Sequence, residues 1–548
     1  MSSATKSDGT KVRGMIQGLP DSEYANGPTD TLSQRQKDLD WYWRFYRCSN
    51  YDECKVDWNG QGNVPQEEHA QIARGGVVPP GFYEGGQMMP LKFRKPLAPY
   101  YLARVIVKRF TNLLFSSRRH PKIQCDDEST EDWLTGFAEA TRLWSRMAQA
   151  RIYGGAMGSV GISFKFVEGK PHVEVHDPRW CDPEFEDRIT QVVSQLEKRY
   201  QYPLDVRNPD GDYEVQWFWY RRVITDMDDT VWPKVRVKNA EEPNWPAERH
   251  TTVVHGFGRC PVVWMQNCPV EDAVDGDPDC HGVYDLIQDI DQLYSQASKG
   301  TKSNCDPTVA LSSDAEFDEI QKGSGMAIQT EKGGSVEYLE MTGAGVDRAI
   351  TIAEKLEEKA LTIACCMLDR NEGGPSRTTE EVEANYSAMI EQADTLREQY
   401  GEMGVKRLLE MVLEVARNLT TPTTQQQGNV RSIVRNTITL PKRKNTDPET
   451  GKVTWETRVL GTGEQIDLQW PDYFQPSAAA MMQRVEAAGK AKQYKLIDSK
   501  TGTQYVASGF QIEDVPETLD KLKVEAEEEA AALQETMQAR SADWAAGG

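Results

Sequence analysis

Apolar positions recur along the chain at three- to four-residue steps in some stretches and at two-residue steps in others, and the change of period marks its parts. Leu32 to Arg47 sets Leu39, Trp41, Tyr42, Trp43, Phe45 and Tyr46 among charges, the pattern of an amphipathic helix that packs on a core. From Gln61 to Met89 the pairs Gly75-Gly76, Pro79-Pro80 and Gly85-Gly86 stop any regular element from continuing. Helices are then expected over Tyr100–Ser116, with Leu102, Val105, Ile106, Phe110 and Leu113 on one side, and over Trp133–Ile152, around Leu134, Phe137, Leu143 and Met147. Gly158–Val167 and Pro171–Val175 read as strands, Asp177–Pro183 as turns, and Tyr213–Thr225 and Thr251–Gly256 as further strands. This region is a mixed α+β body.

The helical period returns at Val283, Leu286, Ile287, Ile290, Leu293, Tyr294 and Ala297, and again at Ala349, Ile350, Ala353, Leu356, Ala360, Ile363, Ala364 and Met367. Between these two helices lies an insert, about Asn304 to Gly343, with strand-like Pro307–Leu311, Met326–Thr330 and Val336–Leu339. Two helices therefore form a stalk that carries a small β-rich knob. Asp369 to Arg377 is a loop by composition, and Thr378-Thr379-Glu380-Glu381 starts a long helix with a threonine cap and early acids. Its seam is Val382, Tyr386, Met389, Ala393, Leu396, Tyr400 and Met403, steps of four and three that one face can bury. The phase breaks just after Gly401 and Gly404 and resumes at Leu408, Met411, Val412 and Val415, which predicts a kink at the glycines. Beyond Asn418 a Thr/Gln/Pro linker leads to a hairpin, Ser432–Leu440 and Thr454–Leu460 around the turn at Asp447–Gly451, then to a strand at Gln465–Trp470. From Pro476 the chain is expected to be largely helical, fraying after about Ala531.

Composition narrows the functional classes. At 548 residues several structural regions are expected, and 38% hydrophobic with 27% charged residues is a polar, surface-rich balance. No apolar run is long enough to span a bilayer, since Arg104, Lys108 and Arg109 break the richest one, and polar Met1–Gly14 does not read as a secretory signal. The ten cysteines show no repeated spacing, as in reduced thiols made in a cytoplasm. A formal charge of −22 opposes tight duplex binding, which Lys and Arg normally drive, but a wall of like charge can let DNA pass without sticking.

Catalytic motifs are not evident. Gly154-Gly155-Ala156-Met157-Gly158-Ser159-Val160-Gly161 imitates a phosphate loop, yet a helix precedes it and a strand follows, the reverse of what that chemistry needs. The Gly-Lys pairs at Gly169, Gly451 and Gly489 lack the Walker spacing. His250, His255, Cys260, Cys268, Cys280 and His281 crowd one region without the spacing of zinc ligands, and Ser159 has no nucleophile elbow around it. The chain is therefore expected not to be an enzyme and to need no cofactor or metal.

The order mixed body, helix, knob, helix, loop, long helix, β return and terminal helices resembles the portal proteins of tailed bacteriophages over about residues 35–530. The residues that carry the resemblance are Gly154–Val167 with the corner Pro178-Arg179-Trp180-Cys181-Asp182-Pro183, His255–Val263 with Asn267, Gly276 and Gly282–Leu286, Ile466-Asp467-Leu468-Gln469-Trp470-Pro471, and Gly509 through Glu525. The resemblance implies an α+β portal fold in a ring oligomer, usually of twelve subunits. Residues 1–30 would be a disordered tail, 31–282 and 419–475 a β-containing wing, and 283–303 and 344–368 the stem. The clip would be 304–343, the tunnel loop 369–380, the long kinked helix 381–418, and the crown and tail 476–548.

Such a ring would sit in the virion at one capsid vertex after assembly in the host cytoplasm. It would conduct double-stranded DNA during packaging and ejection, dock the large terminase and later the head-tail adaptor, and meet major capsid and scaffolding proteins, with no membrane involved. Asp369, Arg370, Asn371, Glu372, Gly373, Gly374 and Arg377 would ring the channel, a collar of mixed charge that touches phosphates transiently. Phe317, Lys322, Glu331, Lys332 and Tyr338 would serve the clip's partners, with the helix kink at Gly401 and Gly404. A helical scaffold or minor capsid component without a DNA channel is the alternative that the same acidity and long helices allow.

Overall fold

A computed structural model of the protein describes residues 32–53, 95–117, 119–167, 169–187, 190–207, 213–237, 243, 245, 251–305, 308–312, 335–339, 344–368, 386–418, 426–427, 430–432, 438–446, 453–473, 478–494, 502–503 and 521–523. Among these, the residues within Met1–Ser116, Ile123–Met367 and Gln392–Leu468 form one compact unit, and those within Ser117–Lys122, Leu368–Glu391 and Gln469–Gly548 a second. The protein is mixed α and β. None of its described helices is long and apolar enough to cross a membrane.

The first helix, α1 (Gln34–Arg47), begins at a capping box in which Ser33 and Gln36 satisfy each other's backbone N–H groups. It buries Leu39, Phe45 and Tyr46. After it come α2 (Leu102–Phe115), β1 (Lys122–Cys125), α3 (Glu128–Thr141) and α4 (Leu143–Met157). Leu102, Ile106, Phe110, Leu134, Phe137, Leu143 and Met147 of the three helices are buried together as the helical core. The expected single helix over Trp133–Ile152 is in fact two. Arg142 turns left-handed at φ 53°, and its N–H closes α3 onto Ala138 and Glu139, so both halves can bury their apolar faces. No glycine or proline marks that break.

The strands β2 (Ser159–Val167), β3 (Lys170–His176), β4 (Cys181–Asp187), β5 (Val192–Arg207), β6 (Tyr213–Ile224), β7 (Asp228–Val231), β8 (Val235–Arg236), β9 (Thr251–Val254) and β10 (Val262–Gln266) belong to one sheet. The segment expected as turns, Asp177–Pro183, is a short 3₁₀ turn at Pro178–Trp180 that runs straight into β4. The 16-residue β5 gives little alternation in sequence because charges and Pro203 interrupt it. It exists because β6 pairs with it along its length, from Leu196↔Ile224 to Arg207↔Tyr213. Beyond Lys198 the β4 ladder ends, leaving an edge that tolerates Pro203.

Onward run α5 (Tyr284–Cys305), β11 (Thr308–Ser312), β12 (Ser335–Leu339), α6 (Ala344–Ile363), α7 (Ser387–Arg397), a π-helical segment (Glu398–Lys406) and α8 (Arg407–Asn418). Then follow β13 (Gln426–Gln427), β14 (Val430–Ser432), β15 (Arg443–Thr446), β16 (Val453–Glu456), β17 (Ile466–Gln469) and α9 (Ala478–Gln493). The large sheet has the order β13-β14-β9-β7-β6-β5-β10-β2-β3, and β17 pairs with β1. β16 does pair antiparallel with a strand before it, but that strand is β15 rather than Ser432–Leu440, and the turn expected at Asp447–Gly451 lies outside the described residues. Residues 438–442 are irregular.

The large sheet curls. Arg222 of β6 reaches Glu174 of β3 at 2.6 Å although β5, β10 and β2 lie between them in strand order, and Arg222 also grips Asp229 through Nε and Nη2. Beside this network His176 is fully buried, with Nε2 at 2.7 Å from the Ser163 hydroxyl and Nδ1 without a partner. Burial, then Lys198, pushes its imidazole down to about 3. The folded protein holds this ring neutral, whereas the unfolded chain takes a proton below about 6.5. Its stability contribution is therefore complete above that pH and lost as pH falls. Lowering the pH from 7 to 4.5 should cost about 2–3 kcal/mol through this one group. Urea midpoints across that range should show the loss, and His176→Gln should flatten it; an unflattened profile contradicts this assignment.

Candidate functional site

The helical hairpin and the long helix are rooted in one buried polar junction, built from the two glycine-marked stretches of the sequence. α4 ends on Gly154-Gly155-Ala156-Met157, Gly158 turns left-handed at φ 94°, and β2 begins. The segment 267–283, which leads from β10 to α5, clasps this turn. Asn267 N–H donates to the Gly158 carbonyl (2.8 Å), Asp279 N–H to the Gly155 carbonyl (2.9 Å), and Gly276 N–H to the Ser159 hydroxyl (3.1 Å). The glycines allow that approach: a Cβ on Gly158 would run into the Gly276 carbonyl.

Under the clasp, Arg151 Nη2 donates to both Asp279 oxygens at 2.9 and 3.0 Å, and both side chains have essentially no exposed surface. Asn267 Nδ2 donates to Asp279 Oδ1 (2.9 Å) and to the Asp277 carbonyl (3.1 Å), while the Tyr400 hydroxyl donates to Asn267 Oδ1 (3.0 Å). The Arg151 guanidinium also lies over the rings of Tyr400 (5.3 Å) and Phe110 (5.9 Å). Burial raises the Asp279 carboxyl, with Arg151 and Asn267 pulling the other way. Burial works against the Arg151 charge too, and Asp279 more than restores it. The Tyr400 phenol is pushed up, first by burial, and stays a neutral donor.

Above the junction α5 and α6 pack as an antiparallel hairpin. Gly300 near the end of α5 faces Val346 near the start of α6, and Tyr100 ties the middle by donating N–H to Asp291 (2.6 Å) and its hydroxyl to Glu357 (3.1 Å). Buried Ala349, Ala353 and Ala360 keep the contact face of α6 small. Asp291 also accepts from Tyr51 (2.7 Å), and Leu97 and Ala98 N–H groups both donate to Ser295. Burial raises the Asp291 carboxyl against those donors. β11 and β12 close the insert's base, Thr308 opposite Leu339 and Val309 opposite Tyr338. The exposed charges of the hairpin are mixed, Asp285, Asp289, Asp347, Glu354 and Glu358 beside Lys302, Arg348, Lys355 and Lys359.

Gly401 and Gly404 are buried within the π-helical segment, and Gly404 lies against Met265 of β10. The expected seam continues through buried Ala393, Leu396 and Tyr400, but Met403 is exposed and Gly404 and Val405 take its place inside. The wider turn shifts the phase there. Of the other residues singled out, Asp369, Arg370, Asn371, Glu372, Gly373, Gly374 and Arg377 lie outside the described residues, as do Phe317, Lys322, Glu331 and Lys332. The strand expected at Met326–Thr330 and the helix start at Thr378–Glu381 lie outside them as well.

Of the crowded cysteines, burial pushes the Cys260 thiol up to about 12, the Cys268 thiol up to about 11 and Cys280 well above its ordinary value. Among the described residues no three or more His, Cys, Asp or Glu are grouped to hold a metal. A cavity of about 360 Å³ inside the curled sheet is lined by Phe164, Phe166, Glu174, Arg222, His255 and Phe257. Its charges are already paired with one another.

Sequence reading missed Arg151, Asn267 and Asp279 as partners; the one signal was an arginine inside the otherwise apolar face of α4. It also missed Arg179 of the proline corner, which is buried against Asp177 (2.7 Å) and Asp40 of α1 (2.9 Å) and fastens that helix down. Residues 292–409 match the model of a domain of unknown function, DUF4055. The match runs from inside α5 through α6 and the π-helical segment into α8. No curated protein matches the chain.

The junction makes a sign-reversing prediction. Alanine in place of a helical glycine usually gains about 1 kcal/mol. At Gly154 the new methyl would overlap the Tyr400 hydroxyl, and at Gly155 the Arg151 guanidinium and Asp279. Gly154→Ala and Gly155→Ala should each lose about 1–3 kcal/mol in urea denaturation. Gly489→Ala in α9, where nothing lies within 4 Å, should lose nothing.

Proposed function

We propose that this chain is the subunit of a portal ring, the channel at a tailed-phage capsid vertex through which double-stranded DNA enters and leaves. The observation that carries this reading is the helical hairpin: α5 and α6 lie antiparallel, are rooted at one end in a buried junction, and bear at the other an insert based on the β11–β12 pair. A stalk of that form, with a long interrupted helix after it in the chain, suits a subunit that lines a channel with its helices and offers its insert to partners. The mixed charge on the hairpin supports conduction over capture, because among its described exposed positions no unbroken basic stripe is present to hold phosphates. The overall charge of −22 acts in the same direction.

In this reading the insert with Phe317, Lys322, Glu331, Lys332 and Tyr338 meets the large terminase and later the adaptor. The loop 369–380 forms the DNA collar with Arg370 and Arg377 beside Asp369 and Glu372. The α+β wing meets capsid and scaffolding proteins, and the chemistry of the motor resides in another protein.

Purified full chain viewed by negative-stain electron microscopy should show closed rings with a central hole. Monomers or filaments at micromolar concentration would overturn the reading. Replacing Gly373 and Gly374 together by proline should lower the DNA packaged per head by stiffening the collar, with ring formation unaffected. Full packaging by that variant would remove the loop from the mechanism.

A further inference from the structure

The long helix carries two apolar seams that are out of step by one residue. Counting back from buried Leu408 in steps of an α-helix, about 100° per residue, brings Gly401, Arg397 and Asp394 to the inward line. Gly401 is buried, but beyond it the buried residues are Tyr400, Leu396 and Ala393 rather than Arg397 and Asp394. The π-helical turn at Glu398–Lys406 absorbs this offset, since a turn closed by i→i+5 bonds holds one more residue than an α turn.

An α-helix through this segment would have the better backbone geometry, so something must hold the wider turn. The burial of α8 fixes one side, with Leu408, Leu409, Met411, Val412, Leu413 and Val415 all inside. On the other side the deepest contact is Tyr400. Its ring is fully buried, its hydroxyl passes Gly154 so closely that a Cβ there would overlap it, and it ends on Asn267 Oδ1 at 3.0 Å. Asn267 is in turn held by Asp279 and the Asp277 carbonyl, and Asp279 by Arg151.

We propose that Tyr400 is a register pin: seated on Asn267, it holds the helix in the π register, and its release lets residues 387–397 turn by about 100° and slide about 1.5 Å toward a continuous α-helix. The two states differ in which residues face inward. The pinned state buries Ala393 and Leu396; the released state turns Asp394 and Arg397 inward, which keeps it the minor one. The junction that roots the helical hairpin is thereby the same one that sets the rotation of the long helix. This inference does not depend on whether the chain forms a ring.

The test uses the full chain with a thiol at Ala393, read by peptide-resolved labelling. Such a buried thiol reacts only through the minor state, so its rate reports that state's population. Tyr400→Phe removes one hydrogen bond and should speed labelling of Ala393→Cys about tenfold. Labelling of Val412→Cys, on the anchored side, and amide exchange over residues 387–397 should both stay unchanged, because a turning helix keeps its backbone bonds. Equal rates at Ala393→Cys with and without the tyrosine hydroxyl overturn the proposal. So does a faster rate matched by faster amide exchange in 387–397, which means fraying. Asn267→Ser, which removes the acceptor and leaves Tyr400 in place, gives the same readout if Tyr400→Phe does not fold.

Discussion

Arg151 and Asp279 meet with essentially no exposed surface on either side chain, and α4, the 267–283 clasp and Tyr400 of the long helix converge on them. Two charges removed from water lose several kcal/mol of hydration each, which their attraction recovers only with good geometry and further hydrogen bonds. The protein supplies Arg151 Nη2 to both Asp279 oxygens, Asn267 as a second donor to Asp279, and the Tyr400 and Phe110 rings beside the guanidinium, whose Nε and Nη1 have no hydrogen-bond partner. Such a pair adds little net stability compared with an apolar replacement, but it penalises every arrangement in which one partner is missing. Its effect is specificity. α4, the 267–283 clasp and the long helix have one mutual arrangement that leaves no buried charge alone.

That constraint explains the glycines better than phosphate chemistry does. Gly154 and Gly155 lie where Tyr400 and the ion pair press on α4, and Gly158 lies where the Gly276 carbonyl passes. The run ending at Gly161 is a place where three backbone segments come close together. The same economy of space recurs in the hairpin, where the alanines of α6 and Gly300 of α5 bring the helices together, and Asp291 and Glu357 give Tyr100 two fixed partners. A hairpin that is rigid at its root can hold the β11–β12 pair away from the body, which is the property the portal reading needs.

Much of this was legible from periodicity. The three- and four-residue steps in α1, α2, α5, α6 and α8 locate those helices because one face of each is buried along its length. Alternation locates β3, whose burial alternates from Lys170 to Val173, whereas β2 is legible from its β-branched and aromatic residues and is buried along nearly its whole length. β5 escaped because its partner β6 and a free edge, not its own pattern, make it a strand. The break at Arg142 escaped because a left-handed arginine carries no mark in sequence and is held only by the burial on either side of it.

The long helix shows where the division falls. From sequence alone the seam through Ala393, Leu396 and Tyr400 is visible, as is the second seam from Leu408, and so is the mismatch between them at Gly401 and Gly404. Those are properties of a one-dimensional pattern. The sequence by itself therefore determined that the phase must change and roughly where. It did not determine that the change would be a π-helical turn with Met403 outside and Val405 inside. Only the tertiary structure decided that, because the deciding contact joins Tyr400 to Asn267, residues far apart in the chain that are brought together by an ion pair between two others.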